Sequence, residues 1–334
     1  MSKGSSVTLT VIVLNFRTPG ITIDCLRTLA PEAAQNPEMR VILIDNASGD
    51  DSVAKIEQAI RKNGWNAPWL MFRPLQTNLG FAGGNNLILR EQLAQTHPPK
   101  YFLLLNSDTL VSPGCMATCM AIMDADPKIG ALTCMLRNRD GSVQNACRKF
   151  PTPFLASIGA FGFPWLFPRL FHWANMDDEG WDRTTGPRDV EWIGGAFFLV
   201  RTKSLQEAGI LDGDFFFLGE DCEWCHRIWK NGWRIRFDPS TEIIHLGGAS
   251  SDNTRLHNFT KNVHIWKARF LVQRKCYGPI AESVVRSIYL AMFALRIGLL
   301  RLTLQGHSEK ADFLRGEVKE ILAAMKHEKK PLLP

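Results

Sequence analysis

Along the first hundred residues, apolar and polar positions alternate between two rhythms. Thr8–Leu14 is a continuous apolar, β-branched run, the pattern of a strand covered on both faces in a parallel sheet. Pro19 and Thr22 open a helix that the spacing carries to Leu29, and Arg40–Ile44 reads as a second strand ending at Asp45. Ser52–Arg61 sets Val53, Ile56 and Ile60 on one side, as an amphipathic helix does. Trp69–Phe72 reads as a third strand, Asn85–Leu93 as a helix, and Tyr101–Leu105 as a fourth strand ending at Asn106. This rhythm predicts an α/β fold: an open, mostly parallel sheet with helices on both faces. Ligands bind such sheets just beyond the strand C-termini. Asn15, Asp45, Asn106 and Asp108 all fall there.

Beyond residue 112 the rhythm changes. Ile129–Met135 and Val143–Cys147 flank Asn138-Arg-Asp-Gly141, a hairpin turn signal. Phe150–Trp173 is rich in Phe, Trp and Pro, carries Arg169 and holds no acidic residue. Strand character returns over Glu191–Arg201 around Gly194-Gly195, followed by helices at Lys203–Ala208 and from about Asp221 to Lys230, and a last strand at Ile243–Leu246 before Gly247-Gly248. From Asn262 onward the chain reads as nearly continuous helix, broken at Gly278-Pro279 and near Gly306. Ser287–Leu304 is its most apolar stretch, but Arg296 and Arg301 leave no uninterrupted span of about 20 apolar residues. Arg286, Arg296 and Arg301 share roughly 140° of helix arc, a basic stripe beside a wide apolar face. Both a membrane-surface helix and a core helix fit that pattern; the Phe/Trp-rich segment, a second apolar surface, favours peripheral contact with a membrane.

The bulk numbers change this picture little. With 334 residues, 45% hydrophobic and 22% charged, the chain is of ordinary globular composition and long enough for a full core. A net charge of +6 suits an anionic partner without choosing one, and no nucleic-acid-binding motif accompanies it. Met1–Ser6 is short and polar and Val11–Leu14 too short for an export signal, so a cytoplasmic location and reduced cysteines are expected. Cys222-x-x-Cys225-His226 spells a haem-attachment string, but Trp224, Ile228 and Trp229 recur at helical spacing, and buried helix thiols are the expectation. Zinc would need further ligands that no second C-x-x-C or H-x₃-H supplies.

Chemistry concentrates at a few points. Asn106-Ser107-Asp108 follows a buried strand, and a carboxylate on such a turn can bridge Mg²⁺ or Mn²⁺ to two phosphate oxygens; an ordinary Asx turn explains the same string. Asp45 could accept from a base or ribose, whereas Asp51 or Ser52 caps the next helix. Asn78-Leu-Gly80-Phe-Ala-Gly-Gly-Asn85 is a glycine-rich loop opening a helix, suited to close backbone approach. Glu220-Asp221 beside Phe215–Phe217 could have one pKa raised, as a general base needs, or could be an N-cap. His245, between a strand and Gly247-Gly248, is either a metal ligand or a core histidine. The dinucleotide-binding glycine pattern of a nicotinamide dehydrogenase is missing from Asn15-Phe-Arg-Thr-Pro-Gly20.

Taken in order, Val11-Ile-Val-Leu-Asn15, Asp45-Asn-Ala-Ser48, Asn78-x-Gly80-Phe-Ala-Gly-Gly-Asn85, Leu105-Asn-x-Asp108, Trp192-x-Gly194-Gly195-Ala and Phe217-x-x-Glu220-Asp221 resemble family 2 glycosyltransferases of the GT-A fold. The spacing looks most like a rhamnosyltransferase-like branch acting on lipid-linked or polysaccharide acceptors, and the resemblance covers about residues 7–250. It implies a glycosyltransferase domain over 1–255 (nucleotide-binding half about 7–112, acceptor half about 113–255); the C-terminal helices carry no diagnostic motif, and their pattern alone gives 256–334 as a helical region able to associate with a membrane. Asn15, Asp45, Asn78, Gly80, Asn106 and Ser107 would lie at the nucleotide, and Trp192, Gly194 and Gly195 at the acceptor. Asp108 and His245 would hold the metal, Arg227 would face the diphosphate, and Asp221, supported by Glu220, would be the catalytic base. Asn106 stands where the motif carries a first Asp, which makes it a weaker ligand. The implied reaction is metal-dependent, inverting transfer from a nucleotide-sugar, L-rhamnose from a dTDP donor first, to a saccharide or polyprenyl-linked acceptor in bacterial cell-surface polysaccharide synthesis. Galactofuranosyl or N-acetylhexosaminyl transfer from UDP, and nucleotide-sugar binding without catalysis, stay open, as does a homo-oligomer.

Overall fold

The computed structural model describes residues 7–176, 186–216, 218–247, 255–302 and 308–326. The expectations resting on Met1–Ser6, Phe217, Gly248 and the break near Gly306 lie outside the described residues. The elements, in chain order, begin with β1 (Leu9–Asn15), α1 (Pro19–Gln35), β2 (Met39–Asp45), α2 (Ser52–Lys62), β3 (Leu70–Pro74), α3 (Gly80–Leu93), β4 (Tyr101–Asn106), β5 (Thr109–Val111) and α4 (Cys115–Ala125). They continue with β6 (Ile129–Arg137), β7 (Val143–Gln144), β8 (Cys147–Arg148), α5 (Pro153–Phe161), α6 (Phe163–Leu166) and α7 (Pro168–Phe171), closed by a 3₁₀ turn at His172–Ala174. Then follow β9 (Arg188–Asp189), β10 (Trp192–Ile193), β11 (Phe197–Arg201), α8 (Thr202–Ala208), α9 (Glu220–Lys230), β12 (Arg234–His245), α10 (Arg255–Tyr277), α11 (Pro279–Leu302) and α12 (Glu309–Lys326).

Two compact units form. The first comprises residues 1–148, 182–216 and 224–250. Its sheet runs β3-β2-β1-β4-β11-β6-β12-β5, parallel through β3-β2-β1-β4, with β11 antiparallel to both its neighbours. The apolar runs of β1, β2 and β4 are buried nearly end to end, as strands covered on both faces must be. Register then fixes which polar residues meet: Asn15 lies opposite Asp45, and His245 opposite Thr109. The Asn138–Gly141 turn closes the β6–β7 hairpin. Cys147 leaves it to pair with Ile193 in a separate two-stranded sheet.

Several elements outrun their expected limits, α10 by starting at Arg255 before Asn262. α1 continues past Leu29 through Pro31 to Gln35. Proline removes a helical hydrogen bond, yet buried Glu32 beyond it accepts from the backbone N–H groups of Gly114 and Met116, and so fixes the start of α4. α3 begins at Gly80, not Asn85, so the glycines lie in its first turns. β12 extends back to Arg234 because it pairs with β6 in parallel along most of its length. The cap before α2 is also corrected: Asp50 accepts from Ser52 N–H, whereas Asp51 makes no side-chain cap.

The second unit comprises residues 149–181, 217–223 and 251–334. α10, α11 and α12 pack around Trp266, Phe270, Tyr289 and Phe293, with Ala156 and Ala160 of α5 completing the cluster. Trp266 meets Tyr289 edge-on, with centroids 5.0 Å apart. Buried Glu282 is satisfied by Arg286 at 3.0 Å and Arg274 at 3.2 Å. Arg296 donates to the carbonyls of Ala160 and Phe161, capping α5 where Gly162 turns the chain at φ +76°. The expected basic stripe is thereby corrected: Arg286 and Arg296 serve internal partners, and Arg301 stays exposed. α11 is nevertheless long and apolar enough by composition to cross a membrane.

Candidate active site

In the first unit, Asn15 and Asp45 meet at the C-terminal edge of the parallel strands. Asn15 Nδ2 donates to Asp45 Oδ2 at 2.7 Å and to Ser48 Oγ at 3.2 Å, while its Oδ1 accepts from Thr22 at 2.7 Å. Ser48 gives Asp45 two further donors, its N–H at 3.0 Å and its hydroxyl at 2.6 Å. A carboxylate buried to 1% exposure is tolerable only with such company. Arg17 closes the rim, donating through Nε to the Ser48 carbonyl.

Asn46 carries the geometry one strand further. Its Nδ2 donates to Asn78 Oδ1 and the Gly80 carbonyl, and its Oδ1 accepts from Leu79 N–H. Asn78 Oδ1 also receives Gly80 N–H at 2.8 Å, an Asx turn that starts α3. Gly80 has φ +68°, and a Cβ there would sit 2.5 Å from the Phe216 carbonyl. Asn15, Asp45, Asn78 and Gly80 thus form one connected network. Asn46 and Ser48, given no role in the sequence reading, hold it together; their place directly after a strand end was the available signal.

A second group gathers at the β4–β5 turn. His245 Nε2 lies 3.2 Å from Asp108 Oδ1 and 3.3 Å from Asn106 Nδ2, and its Nδ1 lies 2.6 Å from Gln144 Oε1. Leu246 N–H bonds the Asp108 carbonyl at 2.8 Å, locking the end of β12 onto this turn. Ser107 is mostly buried between them in sequence. Carboxylate oxygen and imidazole nitrogen are both ligands for a divalent cation. Among the described residues no third His, Cys, Asp or Glu joins them, so an ion held here must draw its other ligands from substrate and water.

Trp192 stacks beneath the Arg148 guanidinium at 5.1 Å, Gly194 N–H bonds the Ala146 carbonyl, and the Ala196 carbonyl that follows accepts from Asn106 N–H at 3.1 Å, so the Gly194-Gly195 turn is held between the start of β8 and the end of β4. The expectation for Arg227 gives way to a structural role. Its guanidinium donates to the Ala208 and Ile210 carbonyls, satisfying the C-terminal end of α8. Cys222 and Cys225 are buried on α9 and in no disulfide, as expected.

In the second unit, Glu220 and Asp221 open α9. Asp221 Oδ1 accepts from Cys222 N–H at 2.8 Å. Glu220 is buried, and its Oε2 meets no partner among the described residues. Burial, and then the neighbouring Asp221 charge, push its pKa up to about 8.

Known proteins share the family and the fold of this chain. The model of "Glycosyltransferase like family 2" matches residues 7–262. N-acetylglucosaminyl-diphospho-decaprenol L-rhamnosyltransferase of Mycobacterium tuberculosis is 26% identical over 243 residues, 71% of this chain and 75% of that protein. Rhamnosyltransferase WbbL of Escherichia coli is 22% identical over 209 residues, 59% and 71% of the two chains. Mannosyltransferase PcManGT from Pyrobaculum calidifontis, solved with GDP-Man and Mn²⁺, superposes with a TM-score of 0.57 at 14% identity, covering 97% of this chain and 87% of that one. The fold is therefore GT-A.

Glu220 yields a signed prediction. Its pKa is higher in the folded than in the unfolded chain, so its favourable contribution is complete below the usual carboxylate range and is lost as pH rises toward about 8. Glu220→Gln carries no such loss. The melting temperature of Glu220→Gln relative to wild type should climb between about pH 5 and pH 8, by the equivalent of on the order of a few kcal/mol. A pH-independent difference would show that Glu220 does not hold its proton in the fold.

Proposed function

This chain belongs to the glycosyltransferase-like family 2, and on that premise we propose that it moves a sugar from a nucleoside-diphosphate donor to a hydroxyl of a saccharide or polyprenyl-linked saccharide, inverting the anomeric carbon. L-Rhamnose from a dTDP donor is the preferred substrate: both relatives named above carry rhamnosyltransferase in their names, and one names a diphospho-decaprenol acceptor. The observation that carries the reading is the placing of Asp108 and His245 at the C-terminal side of a parallel sheet that also presents the Asn15–Asp45–Asn78–Gly80 network. The network is the seat for base and ribose, and Trp192, Gly194 and Gly195 border the acceptor.

Asp108 and His245 would hold Mg²⁺ or Mn²⁺, whose charge neutralises the departing diphosphate. Asp221 removes the proton from the acceptor hydroxyl as its oxygen bonds to the anomeric carbon and the carbon–phosphate oxygen bond breaks. Glu220, kept protonated by burial, adds no second negative charge beside that base.

The lipid-linked acceptor fits a site of action on the cytoplasmic face of the inner membrane, and one face of the second unit suits it. The solvent side of α11 presents Ile280, Val284, Ser287, Ala291, Leu295, Leu299 and Leu302 at helical spacing, with no acidic residue after Glu282. α5 to the 3₁₀ turn adds a run of rings, Phe161, Phe163, Phe171 and Trp173, with Phe154 65% and Leu170 70% exposed. Exposed Arg169 and Arg301 supply charge for anionic headgroups.

Two measurements test this reading. A screen of nucleotide-sugars should find a thermal shift for one dTDP- or UDP-linked donor that grows with Mn²⁺ or Mg²⁺; Asp221→Asn should keep that shift within a few fold in affinity and lose transfer. No shift with any donor overturns the reading, and near-normal turnover by Asp221→Asn overturns the base assignment. Vesicles rich in anionic lipid should co-sediment the protein, and Leu295→Glu with Leu299→Glu should release it without changing its helix content. Equal sedimentation by that variant would remove α11 from the membrane face.

A further inference from the structure

His245 has two ring nitrogens, and only an unprotonated one can bind a cation. Which one is free follows from the hydrogen bonds around it. Asp140, exposed on the β6–β7 turn and held below the usual carboxylate range chiefly by the Ser142 hydroxyl, only accepts. The Ser142 hydroxyl must therefore donate to Asp140, at 2.6 Å, and its oxygen accepts Asn138 Nδ2 at 2.9 Å. That turns Asn138 Oδ1 toward Gln144, whose Nε2 donates to it at 2.8 Å. Gln144 Oε1 is then the atom facing His245 Nδ1 at 2.6 Å, and it can only accept. From the other side, Asn106 Nδ2 faces Nε2 at 3.3 Å and can only donate. The Gln144 end therefore puts the proton on Nδ1; in the neutral ring Nε2 then carries the lone pair, which accepts from Asn106 Nδ2 and faces Asp108 Oδ1 at 3.2 Å.

We infer that Gln144 is a positioning residue that locks His245 in its Nδ1–H tautomer, so that Nε2 presents its lone pair beside the Asp108 carboxylate. The inference rests on the reading of Asp108 and His245 as the metal-holding pair. Its physical point lies in the alternative. With the proton on Nε2, His245 would donate straight to Asp108 Oδ1, 3.2 Å away, and the two groups would satisfy each other. With the proton held on Nδ1, two acceptors face one another, an arrangement that favours a cation. The relay that enforces this starts in the hairpin turn and passes through two amides before it reaches the histidine. Nothing in the sequence spacing of Gln144, 101 residues from His245, announces it.

The lock is read directly from the nitrogen resonances of His245 in ¹⁵N-histidine-labelled protein without added metal, assigned by their disappearance in His245→Gln. At a pH where the ring is neutral, wild type should show the Nδ1–H pattern and Gln144→Leu the Nε2–H pattern. Gln144→Glu, which keeps an acceptor at the same reach, should retain Nδ1–H. Mn²⁺ titrations followed by the paramagnetic resonance of free ion should show affinity falling about 10- to 100-fold in Gln144→Leu, and less in Gln144→Glu. Asn138→Ala, which leaves Gln144 in place but unoriented, should fall between, and guards against a Gln144→Leu protein that does not fold. An unchanged Nδ1–H pattern in Gln144→Leu overturns the lock. If the tautomer switches as expected while His245→Gln binds Mn²⁺ as tightly as wild type, the fault lies instead with the metal-holding reading, and the lock loses its purpose with it.

Discussion

The buried contact between Asn15 and Asp45 is the point on which the arrangement turns. Two adjacent parallel strands end side by side, and each ends in a polar group that cannot reach bulk water. A buried group left unpaired there would cost on the order of 1–3 kcal/mol, more for a carboxylate. Asn15 resolves this by donating across to Asp45 while accepting from Thr22 of α1, which joins two strands and a helix through one side chain. Once the end of β2 is fixed, Asn46 follows rigidly and reaches Asn78 and the Gly80 carbonyl. The start of α3 is thereby set from β2, and the Phe216 carbonyl seals it at a distance only glycine allows.

Much of this could be read from the chain before any coordinates. Strands β1, β2 and β4 announced themselves as apolar runs because burial on both faces leaves no room for polar positions. The polar residues that follow them were visible as exceptions to those runs. What could not be read depends on neighbours distant in sequence. α1 survives Pro31 because Glu32 has work to do at α4, and β12 is long because β6 lies beside it. Arg286 and Arg296 read as an interfacial basic stripe by periodicity alone, and only the Glu282 ion pair within α11 and the packing of α11 on α5 show their partners. Arg227 misled in the same way: helical spacing gives a direction, not the carbonyls waiting at the end of α8.

The two acidic positions differ in kind. Asp108 stands at a turn where the backbone of β12 is clamped to it, so its carboxylate is aimed by main-chain bonds on either side. Glu220 and Asp221 are aimed by a helix start instead, and burial pushes the Glu220 pKa up. Asn106, which stands where a second acidic ligand was anticipated, spends its amide on His245.

The outward side of α11 has a practical consequence. A helix that turns isoleucine, valine and leucine to solvent, Leu302 to 82% exposure, leaves a patch that water wets poorly. In dilute buffer such patches find one another, so the mass of the purified protein will depend on concentration and on detergent. An oligomer counted under those conditions reports on how the patch is covered, and need not describe the number of chains that act together on one acceptor.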